Sequence, residues 1–85
     1  MLSEKDKSEL LVVELKKGRA SDVVVGQIQR YMGLAQYELA EVNQTVKGAI
    51  IGLQSDLRLR RALSVIPNIK FYSYEVNFKL IQDNG

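Results

Sequence analysis

The sequence predicts an α/β fold: a mixed β-sheet flanked by two helices, with elements in the order β-β-α-β-α-β. Three observations carry that prediction. Apolar runs rich in Val, Ile, Leu and aromatic residues stand at 10–16, 46–53 and 69–80. Between them lie two stretches whose apolar residues recur at helical spacing. No repeat, low-complexity tract or linker interrupts the 85 residues, so residues 1–85 are read as a single domain.

Residues 1–4, "MLSE", are expected to form a short strand, and "KDKSE" a polar turn. The run 10–16, "LLVVELK", is a strand that Gly18 breaks. In "ASD", Ser21 is the expected N-cap, with Asp22 in the first helical turn. From there Val24, Ile28, Met32 (or Tyr31), Ala35, Leu39 and Val42 predict a helix to about residue 43. Three consecutive valines and two glycines lower its intrinsic helicity, so packing must hold it. "VKGAIIGL", 46–53, is apolar at nearly every position, the pattern of a central strand covered on both faces. Its Gly48 and Gly52 suit the close approach of a helix.

A second Ser-Asp pair, Ser55 and Asp56, opens the next helix. Leu59, Ala62, Leu63 and Ile66 make its core stripe, and Pro67 closes it. In the last strand, "IKFYSYEVNFKL", Tyr72, Tyr74, Val76, Phe78 and Leu80 share one face by period two. That stripe is read as core or a subunit contact, although aromatic sheet faces also stack bases. Parallel members of the sheet are joined by right-handed crossovers.

A chain of this length buries roughly 60% of its unfolded surface, enough for one narrow core that oligomerisation would reinforce. It contains neither Cys nor His, which excludes disulfides, thiol chemistry and a Cys/His zinc site. Any general base must be Glu, Asp, Lys or Tyr. No run approaches the roughly 20 apolar residues of a membrane span, and no signal peptide opens the chain. The expectation is a cytoplasmic protein with no membrane partner. The net charge of +2 is too small to imply nucleic-acid binding by itself.

Chemistry concentrates after the second strand. Residues two apart in a strand point to one face, so Glu14 and Lys16 project together where the strand meets a Gly-containing loop. A carboxylate there can ligate a hard cation such as magnesium. An ammonium beside it can orient the attacking water and offset phosphate charge. The division of labour suits phosphodiester hydrolysis; the plainer alternative is a Glu and a Lys on a half-exposed strand. Gln27 and Tyr31, four apart, share one side of the first helix and can face that strand end. An amide and a phenol hold water or phosphate oxygens, where a purely structural helix would bury Leu or Ile.

In combination, "VVELKKGRASDVVVGQIQRYMG" resembles the nuclease domain of the endonuclease NucS family, within the PD-(D/E)XK superfamily. The resemblance continues through "VKGAIIGLQSDLRLRRALSVIPNIKFYSYEVNFKL". It implies a restriction-endonuclease-like core and a magnesium- or manganese-dependent endodeoxyribonuclease acting on branched, flap-like or mismatched DNA. By that likeness Glu14 is the metal-binding carboxylate, with the backbone carbonyl of Leu15 as a further ligand. Lys16 is the catalytic lysine, and Gln27 and Tyr31 match the family's helical Gln-Tyr pair.

One part of the pattern is missing. Such nucleases carry an Asp on the preceding strand, and here no Asp stands before that strand's start at Met1. A hairpin turning at Asp6 and Lys7 sets Lys5 against Ser8, Glu4 against Glu9 and Met1 against Val12, with Glu4 roughly 16 Å from the level of Glu14. The expectation is therefore an N-terminally truncated or degenerate nuclease domain. The alternative is a non-catalytic DNA-binding or protein-interaction module that keeps the fold, and a third reading is a small structural homo-oligomer. Lys16, Lys17 and Arg19, with Arg30, form a candidate phosphate-contacting patch, the plainer alternative being a solvated loop with snorkelling side chains. Arg58 and Arg61 are read as an ordinary charged helix face.

Overall fold

Alternation of β-forming and helix-forming segments produces the predicted order. The structure, a computed structural model, describes residues 2–6, 8–75 and 79–82, with side chains described from residue 8 onward. Strands β1 (Leu2–Asp6) and β2 (Glu9–Leu15) form a hairpin. A short β3 (Arg19–Ala20) precedes helix α1 (Val23–Leu34), which runs into a π-helical turn at Ala35–Leu39. Then follow β4 (Thr45–Gly52), a short β5 (Gln54–Ser55), α2 (Leu57–Leu63) and β6 (Ile69–Ser73).

The main sheet has the order β1-β2-β4-β6 and is mixed, with β1 antiparallel to β2 and the other pairs parallel. β3 and β5 pair separately, in parallel. The order β2-β4-β6 advances across the sheet in one direction, so two right-handed crossovers put both helices on the same face. The core shows it. Leu10 and Val12, Val46 and Ile50, and Ile69, all from one side of the sheet, are buried with Val24, Ile28 and Met32 of α1 and Leu59 of α2. Ala62, Leu63, Ile66 and Phe71 pack against this cluster.

Several expectations need correction. Among the described residues β4 has helix cover on one face: α1 lies over Gly48 and Ile50, while on the other side the small Ala49 is buried, Ile51 half-buried and Lys47 exposed. Both described helices lie on one side of the sheet. The first helix does not reach residue 43, because the backbone leaves helical geometry at Ala40 (ψ 137°). Leu39 and Val42, expected on the core stripe, are exposed. Met32 is buried as expected, and the alternative at that turn, Tyr31, is exposed.

The N-cap of α1 is Asp22, not Ser21, and no side chain caps this end. β6 stops at Ser73, short of residue 80, because its neighbour β4 ends at Gly52. Of the stripe read as core or a subunit contact, Tyr72 and Leu80 are exposed in the single chain, which overturns the core alternative for them, while Tyr74 is half-buried. Val76 and Phe78 lie outside the described residues. No helix among the described residues is long and apolar enough to cross a membrane.

At α2 the sequence signal is realised chemically. Asp56 sits in extended conformation and its Oδ1 accepts from the Leu59 amide at 2.8 Å. That satisfies one of the helix's orphan N–H groups. Asp56→Ala is expected to cost about 1 kcal/mol, lowering Tm by about 4–8 °C in a thermal melt followed by circular dichroism. Asp22→Ala removes no capping bond and should change stability by less than about 0.5 kcal/mol.

Candidate functional site

The carboxyl ends of parallel strands are where open α/β sheets gather their functional groups, since loops diverge there toward opposite elements. Glu14 and Lys16 stand at that end of β2. Residues 10, 12 and 14 share the helix-facing side, so Glu14 continues the row begun by buried Leu10 and Val12. Its register partner in β4 is Ile50, itself fully buried.

The Lys16 amide donates to the Ile51 carbonyl at 2.8 Å, which extends the ladder by one bond beyond the strand. Adjacent residues in a strand direct their backbone groups to opposite sides. The Leu15 carbonyl therefore points away from β4, toward the side of β1. There β1 pairs only as far as Leu2, level with Val12, so it stops short of Leu15.

Three of the four motif side chains meet. Glu14 Oε1 lies 3.6 Å from Lys16 Nζ, and both groups are partly exposed. Lys16 Nζ donates to Gln27 Oε1 at 2.9 Å. α1 thus reaches back over the strand end, with its one polar inward residue on the ammonium. Ile28 and Val24 hold that turn of the helix in the core. The amide fixes where the lysine's charge sits, and the carboxylate keeps free acceptor capacity, since an ionised carboxylate has about four acceptor positions.

Tyr31 is one turn farther along α1 and 51% exposed. It lines a shallow groove on the outer side of the helix with Arg30, Leu34 and Tyr37, away from the core. Lys17 is exposed in the turn after β2. Arg19 Nη2 donates to Gln54 Oε1 at 3.3 Å across the β3–β5 pair. The candidate basic residues are therefore spread along the rim and the outer helix surface.

The loop after β2 is tied to the loop after β4. Gly18 adopts φ of +100°, a conformation other residues rarely take, and its carbonyl accepts from the Leu53 amide at 2.8 Å. The Asp56 amide donates to the Ala20 carbonyl at 3.2 Å. Sequence reasoning did not find this clasp, although Gly18 followed by a polar loop was its visible mark.

The register of the hairpin differs by one from that expected. Leu2 pairs with Val12 and Glu4 with Leu10, with an irregularity between Glu4 and Asp6. Glu4 is thus four residues from the level of Glu14, roughly 13 Å at the usual strand rise. That remains far beyond a shared metal, whose oxygen ligands lie about 2.1 Å away for magnesium. Among the described residues, no three of His, Cys, Asp or Glu are grouped so as to hold a metal ion. The chain matches no protein-family model, no curated protein and no solved structure.

Proposed function

We propose that the chain is a metal-dependent endonuclease-type domain, directed at phosphodiester bonds of branched or single-stranded DNA, with only part of its catalytic site. The observation that supports this most is the Glu14–Lys16–Gln27 cluster at the carboxyl end of β2. Its members are three of the four side chains that the NucS-like resemblance marks, Tyr31 lying apart, and they come from two separate elements.

The donors fit half a magnesium or manganese site. Glu14 would supply a carboxylate oxygen and Leu15 its carbonyl, while water and DNA phosphate would complete the coordination. Such an ion supplies charge stabilisation at the scissile phosphate. The chain's own contribution is positional. Gln27 holds the Lys16 ammonium beside Glu14, where it can orient a water molecule and offset developing negative charge. Lys17, Arg19 and Arg30 would contact DNA phosphates as separate anchor points. Among the described residues, Glu4 lies four ladder positions from the level of Glu14, and no three metal-ligating side chains are grouped.

That gap favours a second reading, a non-catalytic DNA-binding or protein-interaction module that retains the nuclease fold. Metal linkage separates the two. With manganese tenfold above its dissociation constant, binding should stabilise the fold by about 1.4 kcal/mol and raise Tm by several degrees. Glu14→Ala should abolish that rise and any manganese-dependent cleavage of labelled branched or single-stranded DNA. An unchanged Tm at millimolar manganese would sink the metal-dependent reading. DNA affinity that falls steeply with salt in the same protein would then support the module.

A further inference from the structure

The side of the sheet opposite the helices is built from Leu11 and Val13 of β2, Ala49 and Ile51 of β4, and Tyr72 of β6. It forms a groove of about 480 Å³, bordered by the Glu9–Lys47 ion pair and by Lys70. Parallel strands are found almost only where both faces are covered. Here β2, β4 and β6 are parallel, yet Tyr72 is 52% exposed in the groove.

The same chain carries an exposed apolar pair near its C-terminal end. Leu80 is 95% exposed and Ile81 79% exposed. The amide of Tyr74 donates to the Gly52 carbonyl, the end residue of β4, so β4 offers no further ladder positions to the chain beyond it. The radius of gyration is 16.3 Å, above the roughly 12 Å of a compact chain this long.

We propose that the open face is covered by the C-terminal segment of a second copy of this chain, Leu80 and Ile81 seating on Leu11, Ile51 and Tyr72, in a reciprocal exchange. Area favours exchange over two bare faces stacking. Three strands about five residues deep present a footprint of roughly 240 Å². A stable complex buries about 800 Å² per partner. On each partner, one face plus one apolar segment comes nearer to that value than a bare face does. Charge agrees with the pairing. Glu75 at the base of the segment and Lys70 beside the groove are opposite in sign, exposed, and outside the two ion pairs found among the described residues.

The absence of cysteine makes a direct test simple. Sedimentation equilibrium of the full chain should give twice the 9.6 kDa monomer mass at tens of micromolar. Mixing Leu11→Cys with Leu80→Cys protein under oxidation should give a disulfide-linked heterodimer. The double variant Leu80→Glu/Ile81→Glu should raise the dimer dissociation constant at least tenfold while keeping the folded circular dichroism spectrum. Three results overturn the proposal. One is a monomer at several hundred micromolar, and another is a dimer untouched by the Glu variant. The third is an internal disulfide formed within a monomeric Leu11→Cys/Leu80→Cys chain, which would mean that the segment covers its own face.

Discussion

Ile28→Ala is expected to remove about 3–4 kcal/mol of stability, measured as a lower urea midpoint at unchanged slope. Ile28 is fully buried between β4 and the helical layer, one residue from the amide that holds Lys16. Truncation leaves a cavity that the two-layer core cannot close, because sheet and loops fix its walls. A domain of this size has a total stability of only about 5–10 kcal/mol, so much of it would go. The same change frees the turn of α1 that carries Gln27. Any manganese response should therefore weaken with Ile28→Ala even where the chain remains folded. Val23→Ala, at an exposed position of the same helix, should cost less than about 0.5 kcal/mol.

Gly48→Val should be comparably damaging for the opposite reason. A Cβ at Gly48 would lie 2.7 Å from Met32 Sδ, 3.0 Å from Ile28 Cδ1 and 3.3 Å from Ile69 Cγ1. The branched side chain must push α1 off the sheet, at about 3 kcal/mol or more. Gly48→Ala should be milder, since the flexible Met32 side chain can yield. The cause is checked by a double-mutant cycle in urea. Met32→Ala empties the space under α1, so Gly48→Ala should cost less in that background than in the parent. Equal costs in both would show that the strand backbone, not the helix contact, requires glycine.

Much of this architecture was visible in the residues. Strand and helix alternated as the periodicities of "LLVVELK", Val24–Ile28–Met32 and "VKGAIIGL" indicated, and the Ser55–Asp56 pair opened α2, although which of the two caps it was not legible. Period two put Glu14 and Lys16 side by side, and helical spacing brought Gln27 over them. What local pattern did not contain was the partner of each element. The apolar run of β4 suggested cover on both faces, whereas the cover on one face depends on where both crossovers lie. The alternation through Leu80 suggested a long strand, but a strand ends where its neighbour does, and β4 ends at Gly52. Hairpin register turned on one irregularity between Glu4 and Asp6 that composition does not reveal. Tyr31 shared a helix side with Gln27 in projection, yet one further turn carried it out to solvent.

The parallel ladder between β2 and β4 also sets the order in which the molecule can come into being. β1 and β2 are neighbours in the chain and can zip early as a hairpin. The opposite edge of β2, which ends at Glu14 and Leu15, has no partner until α1 and its π-turn have been passed and β4 has arrived. Closing that loop costs entropy before any contact repays it, and such non-local parallel pairing is intrinsically slow. Until then an apolar strand edge stands open, a template for misassociation. The acidic–basic cluster is thus a late product of folding, completed in the same step that hides the edge.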